Sequence, residues 1–212
     1  VQSRQNILDA RLQLQQRGLA DLNVHYVSSW YTHPDFINCM ASRVRDARKR
    51  LPSSLATSAR VVFTAHSIPT RLADTSRYES QLLESCTQTA EAADVKDWSL
   101  VYQSRSGNPH DPWLGPDVRD YLTAEHSKGL AAVILCPIGF VTDHVEVLYD
   151  LDTEVAALCQ NLQLPMVRAR TANDDPVFIN MMTDMVLSTC ARYKHGVPLP
   201  IASETPSPHS AK

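Results

Sequence analysis

The residue best placed for chemistry in this sequence is a histidine, His66. It directly follows the apolar run VVFTA at residues 61–65 and precedes Ser67-Ile68-Pro69. Ligands of open α/β sheets bind at the carboxyl ends of the strands, so a histidine at a strand end faces the usual ligand crevice. Imidazole ligates first-row metals and exchanges a proton near neutral pH. A structural histidine at a strand end explains the same pattern equally well.

Three acidic residues recur at intervals of four: Glu146, Asp150 and Glu154. In a helix this spacing places them on one face. Three apolar residues lie on a different face and can pack against a sheet: Leu148, Leu151 and Val155. Like charges four residues apart destabilise a helix by roughly 0.2–0.5 kcal/mol per pair, and a cation held between them reverses that effect. The spacing therefore fits a line of metal ligands or a merely solvated acidic face.

The segment 107–116 is rich in turn-forming residues around one large aromatic residue, Trp113. A tryptophan in such a loop can cover an aromatic ligand, but it can also anchor its own segment. The second role is the commoner one for a loop aromatic.

Alternating strand and helix patterns must position these residues. We predict strands at residues 23–29, 60–65, 98–103, 130–137 and 166–169. We predict helices at residues 5–16, 34–50, 79–93, 116–127, 144–161 and 175–193. This alternation predicts an α/β fold with a parallel sheet covered by helices on both faces. The continuous apolar runs at 61–65 and 131–136 should be the central strands.

Composition and motifs exclude several functions. The chain has 20 basic and 23 acidic residues, a net charge of −3 and no basic stripe, which argues against a nucleic-acid partner. With only six glycines and neither G-x-G-x-x-G nor a P-loop, nucleotide binding is disfavoured. Five scattered cysteines fit neither a disulfide framework nor a zinc site, so we expect a cytoplasmic location. No apolar run is long enough to span a bilayer, and we expect a soluble protein.

Four segments, taken in order, resemble ferrochelatases, the enzymes that insert ferrous iron into porphyrins. They are VSSWYTHPDF (27–36), FTAHSIP (63–69), YQSRSGNPHDPWLGPDV (102–118) and IGFVTDHVEVLYDLDTE (138–154). The last two segments are long and specific, and they are most similar to the Gram-positive type, many of which metallate coproporphyrin. The resemblance implies a chelatase-type, Rossmann-like lobe, the second of the family's two similar lobes.

The resemblance also implies roles for individual residues. The family's metal-site histidine falls on His66, and its catalytic glutamate falls on Glu146. Its outer acidic positions fall on Asp150 and Glu154, on a helix that often carries a π-bulge in relatives. Substrate contacts are implied for two aromatic residues, Tyr78 and Trp113. Relatives with an iron–sulfur cluster use several clustered cysteines near the C-terminus; this chain has one there, Cys190, so no cluster is expected.

The resemblance predicts a ferrochelatase acting on Fe²⁺ and either coproporphyrin III or protoporphyrin IX in haem synthesis. We hypothesise that His66 and Glu146 face each other across the porphyrin cleft and share metal delivery and proton removal. Asp150 and Glu154 would guide hydrated cations inward or hold Mg²⁺, and no prosthetic group is required. Two alternatives stay open: a chelatase for cobalt or nickel, and a non-catalytic porphyrin-binding fragment.

We expect three segments along the chain. Residues 1–22 would be a helix from the end of a first lobe that this chain lacks, residues 23–195 the chelatase lobe, and residues 196–212 a disordered, proline-rich tail. The missing lobe is an expected partner, and a peripheral membrane association is left open. Without that lobe, the fragment is expected to be nearly inactive.

Overall fold

The computed structural model describes residues 2–19, 25–105 and 111–194, with side chains from residue 6 onward. The strands of these residues form one four-stranded sheet in which all pairs are parallel and the order is β2-β1-β3-β4. They are β1 (Arg60–His66), β2 (Trp98–Gln103), β3 (Val133–Cys136) and β4 (Met166–Arg168). The predicted parallel α/β fold is confirmed.

Helices connect the strands. The described helices are α1 (Gln2–Gln16), α2 (Pro34–Lys49), α3 (Ser53–Ala56), α4 (Thr70–Asp74), α5 (Tyr78–Ala92), α6 (Val118–Ser127), α7 (Val145–Tyr149), α8 (Ala156–Asn161) and α9 (Pro176–Lys194). A π-helical segment, Asp150–Val155, joins α7 to α8, so residues 145–161 form one continuous helix. The two short helices α3 and α4 were not predicted, because a single turn is shorter than the window in which helical periodicity shows.

The core lies on both faces of the two central strands. All of β3 and residues 61–65 of β1 are buried, which confirms that these apolar runs are central. Residues 147, 151 and 155 of the long helix are fully buried in the core cluster on one face of the sheet. The prediction that Leu148 packs there is wrong: it is 43% exposed, and Val147 takes that role instead.

The strand predicted at 23–29 is also wrong over its described part, since residues 25–29 form no strand. The β-branched and aromatic residues that suggested a strand show only that the segment suits a pleated, half-buried surface. Among the described residues no strand pairs with this segment, so that preference alone does not produce a strand.

The described residues divide into two compact units. Residues 30–179 form the first, which contains the whole sheet. Residues 2–29 and those from 180 onward form the second, in which the rings of His25 and Tyr193 lie 3.8 Å apart. The predicted tail, 196–212, lies outside the described residues. Within the described part of the chain, no helix is long and apolar enough to cross a membrane.

Candidate functional site

His66 occupies the last position of β1, at the carboxyl edge of the sheet. Its side chain is about one-third exposed, at 32%. The Nδ1 atom lies 2.5 Å from the carbonyl oxygen of Ser67. A carbonyl can only accept, so a proton on Nδ1 fits this contact and, in the neutral ring, leaves the lone pair on Nε2. For the neutral imidazole, the local backbone therefore favours the tautomer in which Nε2 can bind a metal or accept a proton.

The backbone around His66 is fixed from three directions. The hydroxyl of Tyr78 donates to the His66 carbonyl at 2.9 Å. Burial raises the pKa of Tyr78 to about 12, so the hydroxyl keeps its proton at neutral pH. The amide of Ser67 donates to the carbonyl of Gln103 at 2.8 Å, and the Ser67 hydroxyl donates to the carbonyl of Leu114 at 2.8 Å. These bonds restrict where the imidazole can lie.

Glu146 lies in the first turn of α7, just after β3. The helix begins at His144, whose Nδ1 accepts a hydrogen bond from the Glu146 amide at 3.2 Å. This contact satisfies one of the amides that a helix start leaves unpaired. The carboxylate of Glu146 is about half exposed and points toward His66.

The two predicted catalytic side chains meet: Nε2 of His66 is 3.9 Å from Oε2 of Glu146. With metal–ligand bonds of about 2.1 Å, two donors on one ion are separated by roughly 3 Å at a right angle and about 4 Å when opposite. The observed separation lies inside that range, so one cation fits between these atoms with little movement. Among the described residues, His66 is the only potential cation within 4 Å of this carboxylate.

The hypothesis that His66 and Glu146 face each other across a porphyrin is wrong on distance. An aromatic ring needs roughly 3.5 Å of contact distance on each face, or about 7 Å between atoms on opposite sides. The two side chains are only 3.9 Å apart. A flat macrocycle does not fit between two side chains at this separation.

The loop after β3 packs against β1 next to the His66–Glu146 pair. A Cβ atom on Gly139 would lie 2.6 Å from the Cβ of Ala65, so only glycine allows this approach to β1. The Gly139 amide donates to the Thr64 carbonyl at 3.1 Å. The next residue, Phe140, is thereby placed with its ring centroid 6.5 Å from that of His66 and 5.2 Å from that of His144.

Replacing Gly139 by alanine is therefore expected to lower the free energy of unfolding by about 1–3 kcal/mol, because the added methyl group meets rigid backbone and side chain. Urea denaturation measures this change. Gly115→Ala is the matched control: its Cβ would have no neighbour nearer than 3.9 Å, and the expected change is within about 0.5 kcal/mol. Equal stability of the two variants would contradict the close packing at Gly139.

The outer acidic residues, Asp150 and Glu154, bond to other side chains of the protein. Asp150 accepts hydrogen bonds from the Ser104 hydroxyl and, at 3.2 Å, from the side-chain Nε2 of Gln103. Glu154 lies 3.5 Å from the guanidinium of Arg119. These residues border a cavity of about 140 Å³. No group of three or more potential metal ligands occurs among the described residues. Asp150 and Glu154 therefore do not form a single metal-binding cluster with His66 and Glu146.

The π-helical segment changes how the three acidic residues, Glu146, Asp150 and Glu154, are arranged around the helix. In an α-helix, a residue four positions on is displaced by about 40° in one sense. The wider π turn displaces it in the opposite sense. Glu146 to Asp150 spans the α part and Asp150 to Glu154 the π part, so the two displacements offset each other.

The two aromatic residues predicted to bind substrate lie beside β1. Trp113 is half-buried in a segment that pairs with the residues after His66, through an antiparallel bridge to Pro69 and a bond from the Leu114 amide to Ile68. The Tyr78 hydroxyl is committed to the His66 backbone, which leaves only its ring for a substrate. Their role in substrate binding stays a prediction.

The sequence reasoning missed three residues that shape the site: Phe140, the helix cap His144, and Arg168. The guanidinium of Arg168 binds Asp143 and Asp152, on either side of Glu146 in sequence. A signal for it existed, because Arg168 falls at the carboxyl end of a predicted strand, the same argument that selected His66.

The described residues thus form an α/β protein whose parallel sheet carries a histidine–carboxylate pair at its carboxyl edge. The sequence model of the ferrochelatase family matches residues 2–190, and the chain belongs to this family. The resemblance predicted from the four segments is thus confirmed.

Individual relatives of this chain are also named as ferrochelatases. The chain is 45% identical over 186 residues to a ferrochelatase of Rhodopirellula baltica, covering 87% of this chain and 52% of the relative. It is 39% identical over 201 residues to a coproporphyrin III ferrochelatase of Streptomyces coelicolor, covering 88% and 54%. The chain spans about half the length of these relatives. A Deinococcus radiodurans multi-domain protein described as similar to chelatases aligns over 75% of this chain and 29% of that chain, with a TM-score of 0.45 and 14% identity, too low to support a conclusion.

Proposed function

We propose that this chain supplies the metal-insertion lobe of a ferrochelatase and that its porphyrin substrate is coproporphyrin III. Family membership supports the reaction. The name of the Streptomyces coelicolor relative supports the substrate. The five cysteines, all unpaired, support a reducing compartment such as the cytoplasm.

The observation that carries the proposal is the 3.9 Å contact between Nε2 of His66 and Oε2 of Glu146. Two protein ligands are enough to direct an Fe²⁺ ion, and they leave its other coordination positions for water and then for the ring nitrogens. A site with four closed protein ligands would retain the metal instead of passing it on. The pair is thus suited to a metal that is substrate.

The same two residues can also accept the protons that metal insertion releases from the porphyrin. Insertion of Fe²⁺ removes two protons from the pyrrole nitrogens of the porphyrin. As the ion moves into the ring, the lone pairs of His66 and Glu146 become free, so two bases are available for two protons. Because the ring does not fit between them, we place both residues on one face of it, and metal delivery and proton removal then occur from that face.

For the outer residues we propose cation guidance toward Glu146. A Mg²⁺ ion there would be held by oxygens of Asp150 and Glu154, and the Oε1 atom of Gln103 is a buried acceptor with no hydrogen-bond partner. The guanidinium of Arg119 already partly neutralises Glu154, however. Transient attraction of hydrated cations suits these residues better than a resident ion.

The chain alone is expected to turn over at least about 100-fold more slowly than a chimera in which it replaces the matching half of the Rhodopirellula baltica ferrochelatase. A porphyrin must be gripped on both faces, and positioning of this kind can lower a barrier by several kcal/mol. Insertion rates with Fe²⁺, measured for coproporphyrin III and protoporphyrin IX, test the proposal; Co²⁺ and Ni²⁺ rates serve as controls for metal.

Faster insertion with coproporphyrin III and Fe²⁺ than with the other combinations is the expected result. A chimera that inserts Co²⁺ or Ni²⁺ but not Fe²⁺ would contradict the proposed reaction. Equal turnover by residues 1–212 alone would show that a second lobe is not needed.

A further inference from the structure

Arg168, the last residue of β4, is the most heavily bonded side chain near the site. Its Nε and Nη2 atoms donate to the two carboxylate oxygens of Asp152 at 2.6 and 2.8 Å. Its Nη1 atom donates to Asp143 at 2.8 Å and to the carbonyl of Ala169 at 3.2 Å. The side chain is only 13% exposed, so these bonds form where water competes little.

The two aspartates stand on either side of Glu146. Asp143 lies directly before the helix cap His144, and Asp152 lies in the π-helical segment. Glu146 and Asp152 are separated by about 9 Å along the helix axis, at roughly 1.5 Å per residue. A single guanidinium therefore ties the entry of the helix to its π turn, with Glu146 between the two attachment points.

The entry itself is well ordered. Asp143 accepts from the Asn173 side chain at 2.8 Å and from the Thr171 amide at 3.3 Å, and its own amide donates to Asn173 at 2.9 Å. Burial opposes ionisation of Asp143, but the bonds from Asn173 and the nearby Arg168 outweigh it and lower its pKa. The carboxylate is thus charged at neutral pH and bonds Arg168 as an ion pair.

Arginine is suited to this task in a way that lysine is not. The planar guanidinium presents donors in a fixed fork that matches both oxygens of Asp152, while a third nitrogen points to Asp143. An ammonium group could neutralise one carboxylate but could not hold both aspartates in a fixed relative orientation.

We propose that Arg168 is a positioning residue for the metal pair: by binding Asp143 and Asp152 together, it sets the helix orientation that holds Glu146 beside His66. The inference rests on the proposed function, since it assigns the spacing of that same pair. Arg168 touches neither the metal nor the porphyrin. Its effect is transmitted by the backbone of residues 143–152.

The test measures Co²⁺ affinity of residues 1–212 by visible absorption, together with KM for Fe²⁺ and kcat in the chimera. Arg168→Gln is expected to weaken Co²⁺ binding and raise KM for Fe²⁺ by about 10-fold or more, the usual effect of removing a group that orients metal ligands. Arg168→Lys should restore stability but only part of the metal affinity. Asp152→Asn, a milder change, should give a smaller effect of the same sign.

Arg170→Gln is the matched control. It removes the same charge two residues away, from an exposed side chain that forms no hydrogen bond or ion pair with other described residues. Its metal affinity and KM should equal those of the parent chain. Melting temperatures are recorded for all variants, and binding is measured well below them so that only folded protein is compared.

The outcomes separate the inference from the proposed function. Parent-like Co²⁺ affinity and KM in folded Arg168→Lys and Asp152→Asn would overturn the positioning role, even if Arg168→Gln failed to fold. Co²⁺ binding that depends on Arg168, combined with a chimera that inserts no iron, would count against the proposed reaction and leave the positioning role standing. A parent chain that binds no Co²⁺ would overturn both.

Discussion

Replacing His66 by alanine is expected to lower iron insertion by about 1,000-fold in the chimera with the Rhodopirellula baltica half. The change removes a metal ligand and a base at once, and proton transfer alone contributes roughly 100- to 10,000-fold in enzymes that use it. The fold should survive, because the imidazole is one-third exposed and its one hydrogen bond is to the neighbouring Ser67 carbonyl. Turnover and urea denaturation, measured on the same preparation, check both parts.

A second histidine provides the control. His33 caps α2 by accepting a hydrogen bond from the Asp35 amide at 3.2 Å. His33→Ala should therefore cost up to about 1 kcal/mol of stability and leave insertion unchanged, the reverse of the effect at His66. Retention of insertion within about 3-fold in His66→Ala would show that His66 is structural.

Glu146→Gln should lower insertion by about 100-fold, less than the loss at His66. Glutamine keeps an oxygen that can ligate a metal, but it is neutral and cannot take up a proton from the ring at neutral pH. The half-exposed side chain makes little contribution to packing, so stability should be nearly unchanged. Co²⁺ affinity of residues 1–212 gives a second measurement, which should fall together with turnover.

Glu154→Gln, the same chemical change on the same helix, distinguishes the inner carboxylate from the outer one. If Glu154 guides cations, its loss should raise KM for Fe²⁺ and leave kcat close to that of the parent. An equal fall of kcat in both variants would contradict the separate roles proposed for Glu146 and Glu154. An unchanged dependence on Fe²⁺ concentration in Glu154→Gln would remove the guidance role.

The sheet could be predicted from the sequence because its signals are local. The apolar runs at 61–65 and 131–136 are too continuous for a half-exposed strand, and both proved to be central. The segment 23–29 shows the limit of that approach, because β propensity does not reveal whether a partner strand is present. Leu148 shows another limit: helical spacing placed it near the buried face, but its neighbour Val147 fills the core instead.

Candidate site residues could be named from the sequence, but their arrangement could not be predicted. Position at a strand end made His66 a candidate, spacing made the acidic residues candidates, and the resemblance to ferrochelatases gave them roles. None of these indicates that His66 and Glu146 are in contact, nor that Asp150 and Glu154 bind Ser104 and Arg119. Those facts depend on how far apart two strands and a helix lie, a long-range property that no single segment encodes.

The two members of the pair are anchored in different ways. β1 is bonded to β2 from residue 61 to residue 66 and to β3 from residue 60 to residue 63, so the sheet holds the backbone that carries His66. Glu146 lies instead in the first turn of α7, whose entry is held by the bonds from Asn173 and Arg168 to Asp143. Strand pairing thus anchors the imidazole, while side-chain bonds anchor the carboxylate. Loss of those side-chain bonds is expected to free the carboxylate before the imidazole, because a helix end opens locally at a lower free energy than a paired strand.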